Sequence, residues 1–278
     1  MGGLGNQLFQ IATAYAYAKD HGLELALPLE WSDRPDRPSV WSTYLDVSKW
    51  KNILTWEEYS QKPWQIINEA GFEFSPLPVS HALLTKLHGY FQSSLYFTRY
   101  KDELRVLLQP SLLLLAESEF SLSDIGIEDK DKTTWIIAHV RRGDYVTFAD
   151  YHLVCGPEYY KGARAVIEAK TGIQRVCWIT DDSEWVKANL RDEGHGDIVI
   201  SGDATVDFTH LTQFKHMILS NSTYSWWAAW LNPRNYTDRV ICCPNKWFGH
   251  QGPQSFKTVY EAEWLRIDTT SGYLAEQV

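Results

Sequence analysis

The feature of this 278-residue chain that most constrains its fold is a regular alternation of short apolar runs and helical patterns in its second half. The apolar runs are typical of buried strands, and they cover residues 135–140, 175–180, 198–200, 216–219 and 239–242. Helical patterns lie between them, at residues 158–171, 183–190, 207–215 and 225–231. Strands that alternate with helices in this way predict βα units and a parallel, doubly wound sheet.

The first half of the chain opens on a glycine-rich loop, Gly2-Gly3-Leu4-Gly5-Asn6-Gln7. Residues 8–18 follow with apolar side chains on a helical period, and residues 23–27 are predicted to form a short buried strand that ends at Pro28. A glycine-rich loop, a helix and a strand make half of a nucleotide-binding α/β unit. The first half therefore predicts an α/β lobe of its own.

The fold class that we predict is α/β, with two Rossmann-like lobes that face a cleft. The polar segment at residues 124–132 is the expected boundary. The N-terminal lobe then covers residues 1–125 and the C-terminal lobe residues 126–278. A chain of this length can bury at least one full core and is long enough for two lobes.

The net charge of −9 argues against nucleic-acid binding, which requires a basic surface. A polyanionic ligand must therefore be held by a local basic cluster. The sequence shows no apolar run near the ~20 residues of a membrane span and no signal-peptide pattern. Its four cysteines form no CxxC pair and no zinc-type spacing. We expect a cytoplasmic protein without a membrane span, and peripheral membrane association stays open.

The strongest candidate site is the segment His139-Val140-Arg141-Arg142-Gly143-Asp144-Tyr145, placed where a predicted buried strand ends. In open α/β sheets, ligands bind just outside the carboxyl ends of the strands. Two adjacent guanidinium groups beside a glycine turn make a planar, multidentate anion clamp, and a diphosphate is the expected ligand. The alternative is a surface arginine pair that forms a salt bridge with Asp144.

A second candidate is Ser220-Asn221-Ser222-Thr223-Tyr224-Ser225, which follows the predicted strand at 216–219 and opens a helix. Small hydroxyl and amide side chains cap helix N-termini, and they also present donors to a phosphate. Capping alone explains one such residue. Five of them in six positions favour anion binding.

Two cofactor classes are poorly supported. A dinucleotide fingerprint needs a third glycine where Leu8 stands and an acidic residue where Pro28 ends the strand. Asp181-Asp182-Ser183 lacks the D-x-D spacing of metal-dependent transferases. We predict no metal site, so that the charge of a leaving diphosphate is neutralised by arginine and by donors at a helix N-terminus.

Sequence blocks across nearly the whole chain resemble those of the bacterial and animal α1,2-fucosyltransferases. The resemblance extends more distantly to the α1,6- and protein O-fucosyltransferases. The matching blocks, which keep the order of the family, are residues 2–10, 89–93, 139–145, 180–185, 207–215, 221–227 and 244–248, together with Trp264. The whole set is far more specific than any one block.

The resemblance implies a GT-B-type glycosyltransferase that inverts at the anomeric carbon and needs no metal. It implies GDP-β-L-fucose as co-substrate and a glycan ending in galactose as acceptor, joined in an α1,2 linkage. The N-terminal lobe is then expected to lie on the acceptor side. Members of the family have a short strand before the glycine loop. This chain begins at the loop, so we expect its first lobe to lack that inner strand.

By position, the resemblance gives Arg141 the grip on the β-phosphate, with His139 and Arg142 in support of the donor site. Asp207 corresponds to an acid that binds the N1 and N2 donors of guanine. Asn6 resembles an asparagine that faces the reaction centre. Besides Arg142 and Asp207, the donor-binding residues that we predict are Gly3, Gly5, Asn6, Asn221, Ser222 and Thr223.

The acceptor hydroxyl is expected to lose its proton to a base. Asp144 is the nearest carboxylate in sequence to Arg141, and it is equally placed to pair with Arg142. Asp150 and His152 are weaker candidates. Two other functions stay open: a transferase of the same architecture that uses another GDP-sugar or nucleotide-sugar, and a non-catalytic sugar-binding protein. The second has no need of an arginine loop beside a phosphate-binding helix start.

Overall fold

The computed structural model describes residues 2–28, 41–232 and 238–275, apart from the side chains of Trp56 and Tyr59. The chain divides into two compact units. The first lobe comprises Met1–Ser111 and Ser255–Glu261, and the second lobe comprises Leu112–Gln254 and Ala262–Val278.

The first lobe has one long helix and two small parallel sheets among its described residues. Its helices are α1 Leu4–His21, α2 Trp41–Tyr44, α3 Trp56–Ser60 and α4 Lys101–Leu107. Its strands are β1 Ala26–Pro28, β2 Asn52–Leu54, β3 Gln65–Asn68 and β4 Thr85–His88. β1 pairs with β2 and β3 pairs with β4, both in parallel. Short 3-10 turns lie at Val47–Lys49, Ser94–Tyr96, Thr98–Tyr100 and Lys257–Val259.

The predicted glycine loop is shorter than expected, because α1 begins at Leu4. Gly5 and Asn6 therefore lie in the first turn of the helix rather than before it. The helix ends at Gly22, whose φ of +63° is left-handed and suits glycine. The strand expected at residues 23–27 forms only as β1, three residues long, which includes Pro28.

The second lobe is a doubly wound α/β unit. Its helices are α5 Leu112–Asp124, α6 Gly143–Thr147, α7 Pro157–Thr171, α8 Ser183–Asn189, α9 Ala204–Leu211 and α10 Thr223–Leu231, with a 3-10 turn at Asp129–Thr133. Its strands are β5 Ile136–Val140, β6 Val176–Thr180, β7 Ile198–Ile200, β8 His216–Ile218, β9 Ile241–Pro244 and β10 Leu265–Ile267. They form one six-stranded sheet in which every pair is parallel.

The strand order of this sheet is β7-β6-β5-β8-β9-β10. Numbered along the chain from β5, this is the order 3-2-1-4-5-6 of a dinucleotide-binding Rossmann sheet. The order reverses between β5 and β8, and ligands bind at such a switch point, outside the carboxyl ends of the strands. The fold thus fixes where the site of the second lobe is expected. The predicted α/β class is confirmed.

The division between the lobes comes one helix earlier than the boundary expected at residue 125. Helix α5 belongs to the second lobe because it packs on α9. Ser118 of α5 makes two buried contacts, with Nδ1 of His210 at 2.6 Å and with Nε2 of Gln213 at 2.6 Å. The sequence pattern gives no information about this partner.

The tryptophan content reflects packing in large part. Eight of the 13 tryptophans are buried in the described part of the chain. Four of them form one cluster, in which Trp226 contacts Trp227, Trp230 and Trp264 at centroid distances of 5.2, 6.2 and 5.6 Å. No helix of the described residues is long and apolar enough to cross a bilayer.

Candidate functional site

The two predicted anion-binding segments lie side by side at the switch point of the second lobe. Strand β5 leads into Arg141, and strand β8 leads, one residue on, into Ser220. The two strands are hydrogen-bonded neighbours. The segments are in direct contact, since Nδ1 of His139 lies 2.8 Å from Oγ of Ser220.

Arg141 is held in place by two carboxylates. Its Nη1 lies 2.7 Å from Oδ2 of Asp181, and its Nη2 lies 2.5 Å from Oδ1 of Asp144. Burial disfavours the charged guanidinium, but the two carboxylates outweigh burial and raise the pKa of Arg141. The side chain is still 34% exposed. A fixed, charged and accessible guanidinium at this position is suited to an anionic ligand.

Arg142 has a different partner from the one considered in the sequence. The alternative pairing of Arg142 with Asp144 is wrong, because Asp144 lies in the first turn of α6 and contacts Arg141. Nε of Arg142 instead lies 2.9 Å from Oδ2 of Asp182, and its guanidinium lies 4.0 Å from the ring centroid of Trp185. Stacking and pairing leave this side chain only 17% exposed, so it supports the loop.

Asp181 and Asp182 are site residues that the sequence analysis placed in a family block and examined as a metal motif, without a role in the donor site. Oδ1 of Asp181 accepts the backbone N–H of Arg142 at 2.8 Å, in addition to the Arg141 pair. A Cβ atom at Gly143 would lie 2.7 Å from Oδ2 of Asp181, which explains the glycine. Their position directly after β6, the neighbour of β5, was the signal in the sequence that they belong to this site.

His139 is buried beneath the loop. Burial, together with the charge of Arg141, lowers the pKa of His139 to about 3. Its imidazole is therefore neutral at physiological pH and packs 5.0 Å from the ring of Tyr224. A neutral, enclosed imidazole suits the support of the donor site that the resemblance implies. This role of His139 stays a prediction.

The predicted role of Asn221 as a direct ligand does not fit its side-chain contacts. Nδ2 donates to the carbonyl oxygens of Leu153 and Trp247, at 2.9 Å each, and Oδ1 accepts from the Cys155 thiol. Both amide hydrogens are thus used within the lobe, and the residue is 3% exposed. Asn221 ties three loops together, which positions the residues that follow it.

Ser222 and Thr223 open helix α10. Ser222 is the N-cap, and its hydroxyl accepts the N–H of Tyr224 at 3.3 Å. Thr223 is the first residue of this nine-residue helix, at the end that carries the positive partial charge. Capping and anion binding are compatible here, because a helix N-terminus has several unsatisfied N–H groups. The phosphate-binding role of both hydroxyls stays a prediction.

Asp207 is buried in α9 and does not cap it. The cap is Asp203, whose carboxylate accepts the N–H groups of Thr205 and Val206. Oδ2 of Asp207 accepts the N–H of Gly202 at 2.9 Å, and no hydrogen bond to Oδ1 is found among the described residues. Burial raises the pKa of Asp207, since it outweighs the Gly202 bond. The Asp207 carboxylate is 6% exposed, and its Oδ1 is suited to accept hydrogen bonds from donors of a ligand.

Tyr224 contacts both α9, the helix of Asp207, and His139 of β5, the strand that leads into Arg141. Its ring lies 4.9 Å from Phe208, the residue after Asp207, and its hydroxyl donates to the carbonyl oxygen of Ala204 at 2.5 Å. Its other ring neighbour is His139. The start of α9, the start of α10 and the end of β5 are thereby joined in one cluster of the second lobe.

Gly3, Gly5 and Asn6 lie at the start of α1 in the first lobe. Nε2 of Gln92 donates to Oδ1 of Asn6 at 2.9 Å, which fixes the orientation of that amide. Gln92 follows Phe91, whose φ of +54° is unusual for a bulky residue and is typical of strained functional segments. Space around the Cα of Gly3 is open. The part of these residues in donor binding stays a prediction.

The described ranges contain no set of side chains typical of a metal site. No group of three or more His, Cys, Asp or Glu side chains there is arranged to hold a metal ion. The four cysteines are free and buried. Independence from metal ions remains a prediction that only an assay with a chelator tests.

The chain is similar to known glycosyltransferases in sequence and in fold. It is 28% identical to the alpha-1,2-colitosyltransferase of Escherichia coli, over 96% of this chain and 97% of that protein. It is 26% identical to galactoside alpha-(1,2)-fucosyltransferase 2 of Oryctolagus cuniculus, over 83% of this chain and 65% of that protein. The α1,6-fucosyltransferase NodZ shares the fold, with a TM-score of 0.57, 14% identity and coverage of 98% of this chain and 94% of that chain.

The family follows from a match that covers nearly all of the sequence. The model described as glycosyl transferase family 11 matches residues 1–268. The resemblance to the α1,2-fucosyltransferases is thereby confirmed at the level of the family, on a fold whose switch point holds the Arg141 cluster. The chain belongs to glycosyl transferase family 11 and is a glycosyltransferase.

Proposed function

We propose that this enzyme transfers L-fucose from GDP-β-L-fucose to the 2-hydroxyl of a galactoside, with inversion at the anomeric carbon and without a metal ion. The observation that carries the proposal is the charged, accessible Arg141 at the switch point, fixed by Asp144 and Asp181 beside the start of α10. In this fold, that position is where a nucleotide diphosphate binds.

Recognition of guanine is assigned to Asp207. A carboxylate accepts from both N1–H and the N2 amino group of guanine, whereas adenine presents an acceptor at N1. The carboxylate of Asp207 has one oxygen bonded to Gly202 and is 6% exposed. The Tyr224 contacts join the start of α9 to His139 of β5, the strand that leads into Arg141, so one nucleotide is expected to reach both groups.

The reaction that follows is a displacement at the anomeric carbon of fucose. The acceptor oxygen forms a bond to that carbon while the bond to the β-phosphate oxygen breaks, and the electron pair leaves with GDP. Negative charge then grows on the β-phosphate. Arg141 stabilises that charge more in the transition state than in the ground state, because its guanidinium is already oriented by two carboxylates.

GDP-colitose is the second donor to compare with GDP-fucose. The colitosyltransferase of Escherichia coli is similar to this chain over almost its whole length. Colitose is 3-deoxy-L-fucose, so the two donors differ by one hydroxyl group. A site that hydrogen-bonds the 3-hydroxyl rejects the deoxy sugar strongly, whereas an apolar site discriminates weakly.

A donor panel tests the proposal. Purified enzyme is incubated with a β-galactoside and GDP-fucose, GDP-colitose, GDP-mannose or UDP-galactose, and transfer is measured by mass spectrometry. We expect GDP-fucose to give the highest kcat/KM. The proposal is refuted if GDP-fucose is inert while another nucleotide sugar is turned over. The variant Arg191→Ala, in which an exposed arginine away from the cluster is removed, is the matched control for Arg141→Ala.

A further inference from the structure

The second lobe has an aromatic surface next to Arg141. This aromatic surface consists of Tyr145, Tyr151, His152 and Phe248. The rings of Tyr145 and His152 are stacked at 4.2 Å with an interplanar angle of 7°. Tyr151 contacts His152 edge-on at 5.0 Å and Phe248 at 5.7 Å. Tyr151 is 45% exposed, so the surface is open to a ligand.

The aromatic surface is held rigidly by pairing between two loops. The N–H of Gly249 donates to the carbonyl oxygen of Tyr151 at 2.9 Å, and the N–H of Gln251 donates to the backbone carbonyl oxygen of Asp150 at 2.8 Å. His152 and Phe248 also form an antiparallel bridge. A Cβ atom at Gly249 would lie 2.5 Å from the carbonyl oxygen of Asp150, so the close approach requires glycine. A surface fixed in this way binds without a cost of ordering.

The aromatic surface adjoins the diphosphate-binding arginine. The guanidinium of Arg141 lies 5.5 Å from the ring centroid of Tyr145, and the Tyr145 hydroxyl donates to the carbonyl oxygen of Asn221 at 3.3 Å. His152 lies on Tyr145 in turn. A ligand on this surface is therefore adjacent to a sugar whose phosphate is bound by Arg141.

The His152 ring is available as a proton acceptor. No hydrogen bond to its ring nitrogens is found in the described part of the chain. Burial, with the charge of Arg141, lowers the pKa of His152, and Asp144 opposes this shift in part. The imidazole is therefore neutral at pH 7. Asp144, the base predicted from the sequence, has its Oδ1 in the pair with Arg141, which leaves His152 as the better placed group.

We propose that the aromatic surface binds the terminal sugar of the acceptor and that His152 accepts the proton of the attacking hydroxyl. This rests on the proposed transfer to a galactoside. The apolar face of a pyranose stacks on aromatic rings, and exposed Asp150 and His250, 3.8 Å apart at the edge of the surface, offer polar partners for its hydroxyls. The proton moves from the hydroxyl to His152 as the new glycosidic bond forms, and then to water.

The pH dependence follows from the groups around His152. These are Arg141, Asp144 and Tyr145 on the α6 side, Tyr151 and Asp150 in its own turn, and His250 in the paired loop. A base works in its deprotonated form, so kcat falls as the pH drops through the pKa of His152. Because that pKa is lowered, we expect the fall below the ordinary value for histidine.

Two variants with matched controls test the two parts of the proposal. Tyr151→Ala should raise the acceptor KM by about tenfold or more, as truncation of an interface aromatic does, with the KM for GDP-fucose unchanged. Tyr273→Ala, which removes another exposed tyrosine (78%), should change neither. His152→Gln should lower kcat by about 10²- to 10⁴-fold and remove the acidic limb of the profile. His195→Gln is its control, because His195 precedes β7 and lies toward the opposite edge of the sheet.

The outcomes separate this inference from the proposed function. Full activity of His152→Gln, or of His152→Asn as a second variant, with an unchanged acidic limb overturns the proton-transfer role. An unchanged acceptor KM in Tyr151→Ala overturns the binding role. Both results leave wild-type transfer from GDP-fucose intact. If wild-type enzyme neither binds nor uses GDP-fucose, the proposed function fails instead.

Discussion

Substitution of Asp207 by asparagine tests whether this buried carboxylate recognises the guanine base. The variant keeps the size of the side chain and an oxygen that can accept the Gly202 N–H. It turns the second acceptor into a donor that faces the guanine donors. An unsatisfied buried partner costs about 1–3 kcal/mol, so GDP binding should weaken by about ten- to hundredfold. The preference for GDP over UDP and ADP should narrow by the same factor.

The same substitution weakens GDP binding but is not expected to lower the free energy of unfolding. Burial raises the pKa of Asp207 in the folded protein, so the carboxyl group contributes stability that is present at low pH and is lost as the pH rises through the folded pKa. Asparagine mimics the neutral form. At pH 7 the unliganded variant should therefore unfold at the same denaturant concentration as wild type, or at a higher one. In wild type, GDP affinity should fall with decreasing pH earlier than for an ordinary aspartate.

Asp203→Ala in the same helix is the matched control. Asp203 caps α9 through Thr205 and Val206, so its loss should cost about 1 kcal/mol of unfolding free energy and leave nucleotide selectivity unchanged. Calorimetric titration and denaturant unfolding measure both quantities for both variants. Early unfolding of Asp207→Asn with full selectivity for GDP would refute the assignment of guanine recognition.

Three further outcomes follow from the same site. Arg141→Ala should lower kcat by about a hundred- to thousandfold, because about 2.7–4 kcal/mol of transition-state stabilisation is lost, and its circular dichroism spectrum should not change. Arg141→Lys should restore little activity, because a point charge lacks bidentate geometry. Near-wild-type rates in either variant would remove Arg141 from the site. Asn221→Ala removes the hydrogen bonds to the carbonyl oxygens of Leu153 and Trp247 and should lower the free energy of unfolding in denaturant by about 1–3 kcal/mol. Wild-type stability of this variant would contradict the role of Asn221 in joining these loops. Activity should persist in excess EDTA, and a loss that Mg²⁺ or Mn²⁺ reverses would contradict the metal-independent mechanism.

The second lobe was largely predictable because four of its strands, β5, β6, β8 and β9, are buried along their whole length. Such strands are continuous apolar runs, and β5 and β6 have every residue buried. β10 was not predicted, because Arg266 interrupts its short apolar run. Helix α9 begins three residues earlier than expected, because Asp203 caps it.

The candidate site was predictable in its location but not in its pairings. Charge and strand ends indicated Arg141, whereas its pairing with Asp181 in addition to Asp144 depends on β6 lying beside β5. Asn221 shows the same limit. A polar residue before a helix suggests a ligand or a cap, and only the fold shows that its amide is used by Leu153 and Trp247.

The structure of the reaction product is the most direct test of the proposed activity. Wild-type enzyme, GDP-fucose with a ¹³C-labelled sugar and a β-galactoside are incubated together, and the product is examined by NMR. We predict an α-linked fucose on O2 of galactose, formed with inversion from the β-linked donor, in wild type and only in traces in Arg141→Ala. A β-linked product, attachment at another hydroxyl, or equal product from Arg141→Ala would contradict it.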